Sequence, residues 1–322
     1  MIKKTLFAIA ATVALSATQA APQKTECIAP AKPGGGFDLT CKLAQGGLQE
    51  GRFIDSPMRV TYMPGGIGAV AYNTVIAQRP DEGGTIVAFS GGSLLNLAIG
   101  KFGRYTVNDV KWISTAGTDY GAIIVRADSP YKNLKDLMTA LKTDPTKVVF
   151  GAGGSVGSQD WMKSALIAKA AGVDFKAMRY VAFEGGGEAM TALQGGHVQV
   201  YSGDASELTA HLKGGRVRVL GVMAAERLPG ALSNVATAKE QGYDVEWEII
   251  RGYYVGPKVS DADYKWWIGT FDKMLISPEF AKLREAQGLF PLNLTGDKLD
   301  AYVKDRVKHY AKLAKEFGMV AQ

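Results

Sequence analysis

Residues 27–41 read "CIAPAKPGGGFDLTC": a short apolar run, three consecutive glycines, then the opening of an amphipathic stretch. A strand that ends in a glycine turn and enters a helix is one βα unit, and the same order returns along the chain. The runs "MRVTYMPGGIG", "GTIVAFSGGS", "KVVFGAGGSVGS", "MRYVAFEGGGE" and "VQVYSGDAS" each end in glycine and small polar residues. Helix-patterned segments such as "AVAYNTVIAQ", "SQDWMKSALIAKAAG" and "EAMTALQGG" lie between them. The alternation predicts an α/β chain on a parallel or mixed sheet, in which ligands gather outside the carboxyl ends of the strands. Every one of these glycine clusters falls at such an end.

Two longer apolar strands interrupt the pattern. "YGAIIVRADSPYKNLKDLMTAL" divides the glycine turns three and three, and "WEIIRGYYVGP" follows the last βα unit. Two extended strands bracketing a middle block predict two crossings between two lobes. The division expected is 21–122 plus 253–322 for a discontinuous first lobe, and 123–252 for the second. From Asp261 onward the chain is mostly amphipathic helix, expected to pack on the first lobe.

The first twenty residues have the grammar of a secretory leader: a basic start, an apolar run of roughly ten residues and a small-residue end at Ala20. Beyond it no stretch offers about 18 uninterrupted apolar residues. Export to the periplasm is the expectation. Apolar residues at 47% suffice for packed cores, and a chain this long favours two of them. Losing Lys3 and Lys4 with the leader takes the net charge from +6 to +4 (6 − 2), which is too diffuse for a nucleic-acid groove. In an oxidising compartment Cys27 and Cys41 stand at similar depth below the loop, one on the strand and one on the helix. A bridge there would close a loop worth about 3 kcal/mol, with free buried thiols as the alternative.

Several chemistries fail on their own terms. No glycine turn carries the lysine of a phosphate-binding loop, and "GAGGSVG" sets Val156 where a dinucleotide fingerprint needs its third glycine. Metal-ligand spacings are absent, so neither metal nor cofactor is expected. "GGSVG" does satisfy G-x-S-x-G between a strand and a helix, with Asp204 and His211 following in hydrolase order. A secreted serine hydrolase with Ser155 as nucleophile is therefore the alternative function. Against it, His197, His211 and His309 each sit where an ordinary structural role suffices.

Anion seating remains. A glycine turn entering a helix leaves backbone N–H groups unpaired at the positive end of the helix dipole. Gly34, Gly35 and Gly36 form one such turn, Gly154 and Gly157 another, and the hydroxyls of Ser90, Ser93, Ser155 and Ser158 add donors. Asp38 reads as a cap for its own helix, or as an acceptor for a ligand's hydroxyl or amine. Phe37 either packs on the ligand or closes the loop. Arg251 is either a carboxylate partner in the cleft or a surface residue.

Taken in order, "APAKPGGGFDLTCKLA", "YMPGGIGAVAYN", "QRPDEGGTIVAFSGGSLLN", "FGAGGSVGSQDWM" and "VAFEGGGEAMTALQGGHV" resemble the periplasmic solute-binding proteins of tripartite tricarboxylate transporters, within the Bordetella-uptake-gene family. The likeness covers essentially the whole chain after the leader. It implies two α/β lobes of the periplasmic binding protein fold (type II-like), joined by crossing hinge strands around a ligand cleft. It implies a binding protein, not an enzyme, that holds carboxylates on the amides of Gly34–Asp38 and Gly153–Ser158, with Asp204 facing the cleft. A citrate-like di- or tricarboxylate, the large and small membrane subunits as partners, and a monomeric state are the further expectations. Relatives often carry a histidine near the position of Trp161, so the second carboxylate's contacts are open here. Phe37, Tyr120, Trp161 and Tyr253 are the aromatic candidates for lining the cleft.

Overall fold

A computed structural model describes residue 22 and residues 24–319; the leader expected at residues 1–20 lies outside the described residues. In chain order the first elements are β1 (Glu26–Ala29), α1 (Gly36–Glu50), β2 (Arg59–Tyr62), α2 (Ala69–Gln78), β3 (Thr85–Ser90) and α3 (Gly91–Ala98). The long strand β4 (Lys111–Arg126) leads to α4 (Leu134–Thr143), β5 (Val149–Gly153), α5 (Gln159–Ala170), β6 (Arg179–Phe183) and α6 (Gly186–Gln194). After β7 (Val200–Asp204) come a 3-10 turn at Ala205–Leu208, α7 (Thr209–Lys213) and β8 (Val217–Val222). The returning strand β9 (Glu248–Val255) precedes α8 (Asp261–Leu275), α9 (Pro278–Ala286) and α10 (Gly296–Glu316).

The strands are ordered β2-β1-β3-β9-β4-β7-β5-β6, with β8 paired to β4. β1 runs parallel to β2 and β3, and β5 parallel to β6 and β7, as βα units require. The two parallel sets are joined through antiparallel pairings of β9 and β4. β4 is the hinge strand. Its residues up to Tyr120 pair with β9, and from Gly121 onward they pair with β7 and β8. At the switch Gly121 N–H donates to Trp247 O at 3.0 Å and Gly121 O accepts from Met223 N–H at 2.7 Å.

Both faces of the inner strands are covered, which is why β1, β3, β7 and β9 read as apolar runs, while the edge strands β2 and β6 stay partly exposed. Cys27, Ala29, Ile86, Ala88, Tyr253 and Val255 pack with α1 and α8 on one side, while Ile28, Val87, Phe89 and Tyr254 pack with α2, α3 and α10 on the other. Successive side chains point to opposite faces, so each strand feeds two cores. A third core lies under β8, where Ala122, Ile124 and Val219 meet Met190 and Leu193 of α6. The C-terminal helix does more than cover the first parallel set. Tyr310 stacks on Trp247, and Phe317 beyond the helix end packs against Phe175 and Trp161.

Cys27 and Cys41 form a disulfide that ties β1 to the middle of α1 at the base of the first glycine turn. Replacing both with serine is expected to lower stability by about 3 kcal/mol, read as an earlier urea midpoint. An unmoved midpoint would mean that the loop is held by its packing alone.

Candidate functional site

The first glycine turn is built by its own helix and by a side chain from far along the chain. Gly34 adopts a left-handed φ of 92°, and its N–H donates to Asp38 Oδ2 at 2.9 Å. The same carboxylate accepts from Lys42 Nζ at 2.8 Å and from Tyr62 Oη at 2.9 Å, so Asp38 fixes the loop from behind. Gly36 N–H, at the start of α1, donates to Glu207 Oε1 at 2.7 Å. A carboxylate therefore does sit on this helix start, and it belongs to the protein. Gly36 has no room for a side chain, because a Cβ there would collide with the Arg251 guanidinium.

The second turn, Gly153–Ser158, faces the first across a cleft. Asp160 Oδ2 accepts from Gly153 N–H at 3.0 Å, and Gly154 N–H donates to Phe183 O at 2.8 Å. Ser158 caps α5, and its hydroxyl donates to Gly153 O at 2.9 Å. Tyr180 Oη donates to Gly154 O at 2.8 Å, fixing the turn further. Contacts cross the mouth of the cleft: Lys32 with Glu188 at 2.5 Å, and Lys101 Nζ with Ser155 Oγ at 2.9 Å and Val156 O at 3.1 Å. A third turn contributes Ile67, which holds a left-handed φ of 49°. That conformation is costly for a β-branched residue, and such strain gathers at sites where the surroundings over-determine it.

Beneath the turns runs a chain of alternating charges. Arg251 of β9 reaches Asp119 of β4 at 2.8 Å and Asp204 of β7 at 2.6 Å. Lys163 of α5 reaches Asp204 at 2.5 Å and Asp160 at 2.8 Å. Ser206 N–H and Oγ donate to Asp119 at 3.1 and 2.5 Å. Burial opposes charge on both cations, but the flanking acids outweigh it and hold each above its ordinary pKa. Asp204 also feels burial, yet Lys163 and Arg251 hold its carboxyl below the usual range. Burial raises the carboxyls of Asp119 and Asp160 above the usual range, and it acts in the same sense on Glu207. Burial, and then the charge of Asp204, push it up to about 7. Tyr201 Oη donates to its other oxygen.

Two connected spaces result. A cavity of about 430 Å³ is lined by Ile67, Lys101, Gly154, Ser155, Ser158 and Phe183, among others. Behind it a constriction of about 40 Å³ leads to Gly35, Gly36, Phe37, Ser90, Asp204 and Glu207. Two buried acceptors with no hydrogen-bond partner, Asn96 Oδ1 and Gln159 Oε1, belong to residues that line these spaces. The expected residues Gly35, Gly36, Phe37, Ser90, Gly154, Ser155, Ser158 and Asp204 thus gather in one place. Gly34 and Asp38 lie behind the turn, and Ser93 is engaged with Ser90 in a capping box on α3. Gly157 faces Met319.

The aromatic expectations divide. Phe37 lines the constriction, but Trp161 is buried against Phe175, Tyr253 donates to Thr40 O inside a core, and Tyr120 packs on Phe290. Glu207, Asp119, Asp160 and Lys163 were not anticipated. A signal did exist for Asp119 and Arg251, since each is a lone charge in the middle of an apolar strand that predicts two buried faces. The hydrolase arrangement does not assemble. Ser155 Oγ accepts from Lys101, His211 Nδ1 is paired with Gln194 at 2.8 Å, and Asp204 is held by Lys163 and Arg251. Among the described residues there is no cluster able to hold a metal ion, and no helix is long and apolar enough to cross a membrane.

Residues 49–319 match the model of the tripartite tricarboxylate transporter family receptor. The chain is 23% identical over 317 residues to the protein BugT of Bordetella pertussis, covering 96% of this chain and 93% of that one. Its fold is similar to the periplasmic binding protein BugD, with a TM-score of 0.83, 22% identity and coverage of 93% and 99% of the two chains. MatC from Rhodopseudomonas palustris with bound malate matches with a TM-score of 0.80 and 19% identity, over 90% and 98% of the chains. The architecture is that of a periplasmic binding protein, and the matched family is one of receptors, not of enzymes.

Arg251→Met leaves Asp119 and Asp204 buried without their shared cation. The expected loss is about 3–5 kcal/mol in urea unfolding. A loss below about 1 kcal/mol, the level of an exposed pair, would contradict the load assigned to it.

Proposed function

Because the chain belongs to the tripartite tricarboxylate transporter family of receptors, we propose that it works in the periplasm as the solute receptor of such a transporter. It captures a small organic acid in the cleft between two lobes and delivers it to the large and small membrane subunits. The proposed division into 21–122 with 253–322, and 123–252, falls on the crossing strands: β4 changes partners at Gly121, and β9 pairs with β3 and β4 along its length. The observation that carries the reading is the pair of glycine turns at helix starts, facing each other across one cleft and bridged by hydrogen bonds at its mouth. Bound acid stabilises the closed arrangement by its differential affinity for it. Coupling to an energy source belongs to the membrane subunits.

The charge inventory refines the ligand. Asp119, Asp160, Asp204 and Glu207 face Lys163 and Arg251, an excess of two negative charges when all are ionised (4 − 2). Citrate-like acids lead on resemblance, yet a fully ionised tricarboxylate would add three more charges beside Glu207. A dicarboxylate of malate's size asks less of the site, and the malate complex of MatC supports that choice. One carboxylate is received by Lys101, Ser155 and the Gly154 turn. The other takes the α1 helix start when Glu207 gives it up.

Glu207 then makes binding proton-linked. Its pKa stands above the ordinary 4.5, at about 7, so in the closed cleft it is neutral below that pH and charged above it. Affinity for a dianion is therefore full in mild acid and falls as pH rises through about 7. Glu207→Gln keeps an acceptor for Gly36 N–H without the charge. Its affinity for malate should be about tenfold higher than wild type at pH 8 and equal at pH 6. Parallel profiles for the two proteins would remove Glu207 from the site.

The function itself is tested by thermal shift on protein unfolded and refolded to strip carried acid. A ligand at 100 times its dissociation constant adds about 2.7 kcal/mol. Malate, succinate and adipate are expected to give the larger shifts, tricarballylate and citrate smaller ones, and phosphate none. Gly35→Val should abolish the response with the fold intact, since a side chain there would press on the Gly186 and Gly187 amides. No shift with any acid would overturn the reading.

A further inference from the structure

Two arginines are buried to similar degree, Arg251 at 2% exposed and Arg284 at 6%, and only the first has counter-charges. Arg284 of α9 takes part in no ion pair among the described residues, and its one hydrogen bond is a 3.5 Å reach from Nη1 to Asn293 Oδ1, at the outer limit for such a bond. Its guanidinium lies 5.6 Å from the Phe280 ring centre. Burial pushes its pKa down from the ordinary value, with no acid beside it to push back. Four of its five N–H donors are left for a partner, on a side chain that is 6% exposed.

This arginine lines a cavity of about 410 Å³, within the size range of small-molecule sites. The rest of the lining is mostly apolar, with Leu228 and Leu232 on one side and Leu289 and Phe290 on the other. Exposed Glu285 is also at the rim, unpaired with Arg284. The cavity lies on the far side of the Ala205–Leu208 turn from the cleft: Glu207 of that turn enters the cleft, while Ala205 lines this space. Its other wall is anchored to the hinge strand, where Phe290 and Thr118 exchange two backbone hydrogen bonds at 2.9 Å.

We infer that this hinge-side cavity is a second binding site, for an amphipathic monocarboxylate whose acid pairs with Arg284 and whose aromatic or branched aliphatic body fills the apolar lining. The glycine turns of the cleft recognise compact polar acids through backbone amides. Here one buried guanidinium and an apolar chamber select the opposite balance, one charge on a hydrophobic body. Because the walls come from both sides of the hinge, an occupant contacts one arrangement of the lobes and must be linked to the cleft in both directions.

The probe is para-trifluoromethylphenylacetate, followed by fluorine NMR line broadening with the full mature protein. Saturable broadening is expected, weaker by about tenfold for the matching amide, which lacks the charge. Ala281→Trp, which fills the cavity from α9, should abolish it while leaving the malate response of the cleft. Arg284→Met should also abolish it, and the Ala281 variant carries the test if that protein does not fold. Gly35→Val should keep the broadening saturable, with an affinity altered only by the linkage between the two sites. Equal binding of acid and amide, persistence in Ala281→Trp, loss in Gly35→Val or no broadening at all would each overturn the site.

Discussion

The ion pairs of Arg251 with Asp119 and Asp204 hold the two parts of the sheet in register at the place where the chain crosses between them. Asp119 sits two residues before β4 changes partners at Gly121, Asp204 ends β7, and Arg251 lies on the strand that returns. Removing Arg251 leaves Asp119 without a cation in a dry interior, and Asp204 with Lys163 alone, which is far more costly than the net worth of the pair. Lys163 extends the chain of charges to Asp160, whose other task is to hold Gly153 N–H. The hinge and the second glycine turn are thus one electrostatic unit.

On this floor the glycine turns do what their geometry dictates. Gly36 has no space for a side chain because Arg251 fills it, and Gly35 lies against Gly186 and Gly187 of the opposing side. The close approach of the two backbones leaves amides as the groups nearest a ligand. Glu207 occupies the first of these seats, so an incoming acid meets a resident carboxylate whose charge is finely balanced near neutral pH. That balance comes from burial beside Asp204, offset in part by Arg251. A receptor built this way reads the charge of its ligand as well as its shape.

Much of the fold was legible. Strand, glycine turn and helix recur because parallel strands need crossovers, and the disulfide follows from two cysteines at the base of the same βα unit. The turns that line the cleft were legible for the same reason. The charges beneath them were not. Glu207 stands in "ASELTAH" and Lys163 in "WMKSALIAK", stretches that read as ordinary amphipathic helix, and only the tertiary fold turns them inward. Trp161 and Tyr253 had the composition of a ligand-facing wall, yet α5 is buried on all sides and β9 alternates, so both rings face cores. Asp119 and Arg251 carried a readable warning, since a charge in the middle of a doubly covered strand requires a partner.

A crystal structure of the refolded protein with malate would locate both ends of the ligand. One malate carboxylate is expected at the Gly154–Ser155 turn beside Lys101, the other at the start of α1, with Glu207 turned away from Gly36 N–H. Malate bound elsewhere, or a cleft in which Glu207 still holds Gly36 at saturating malate, would contradict that arrangement.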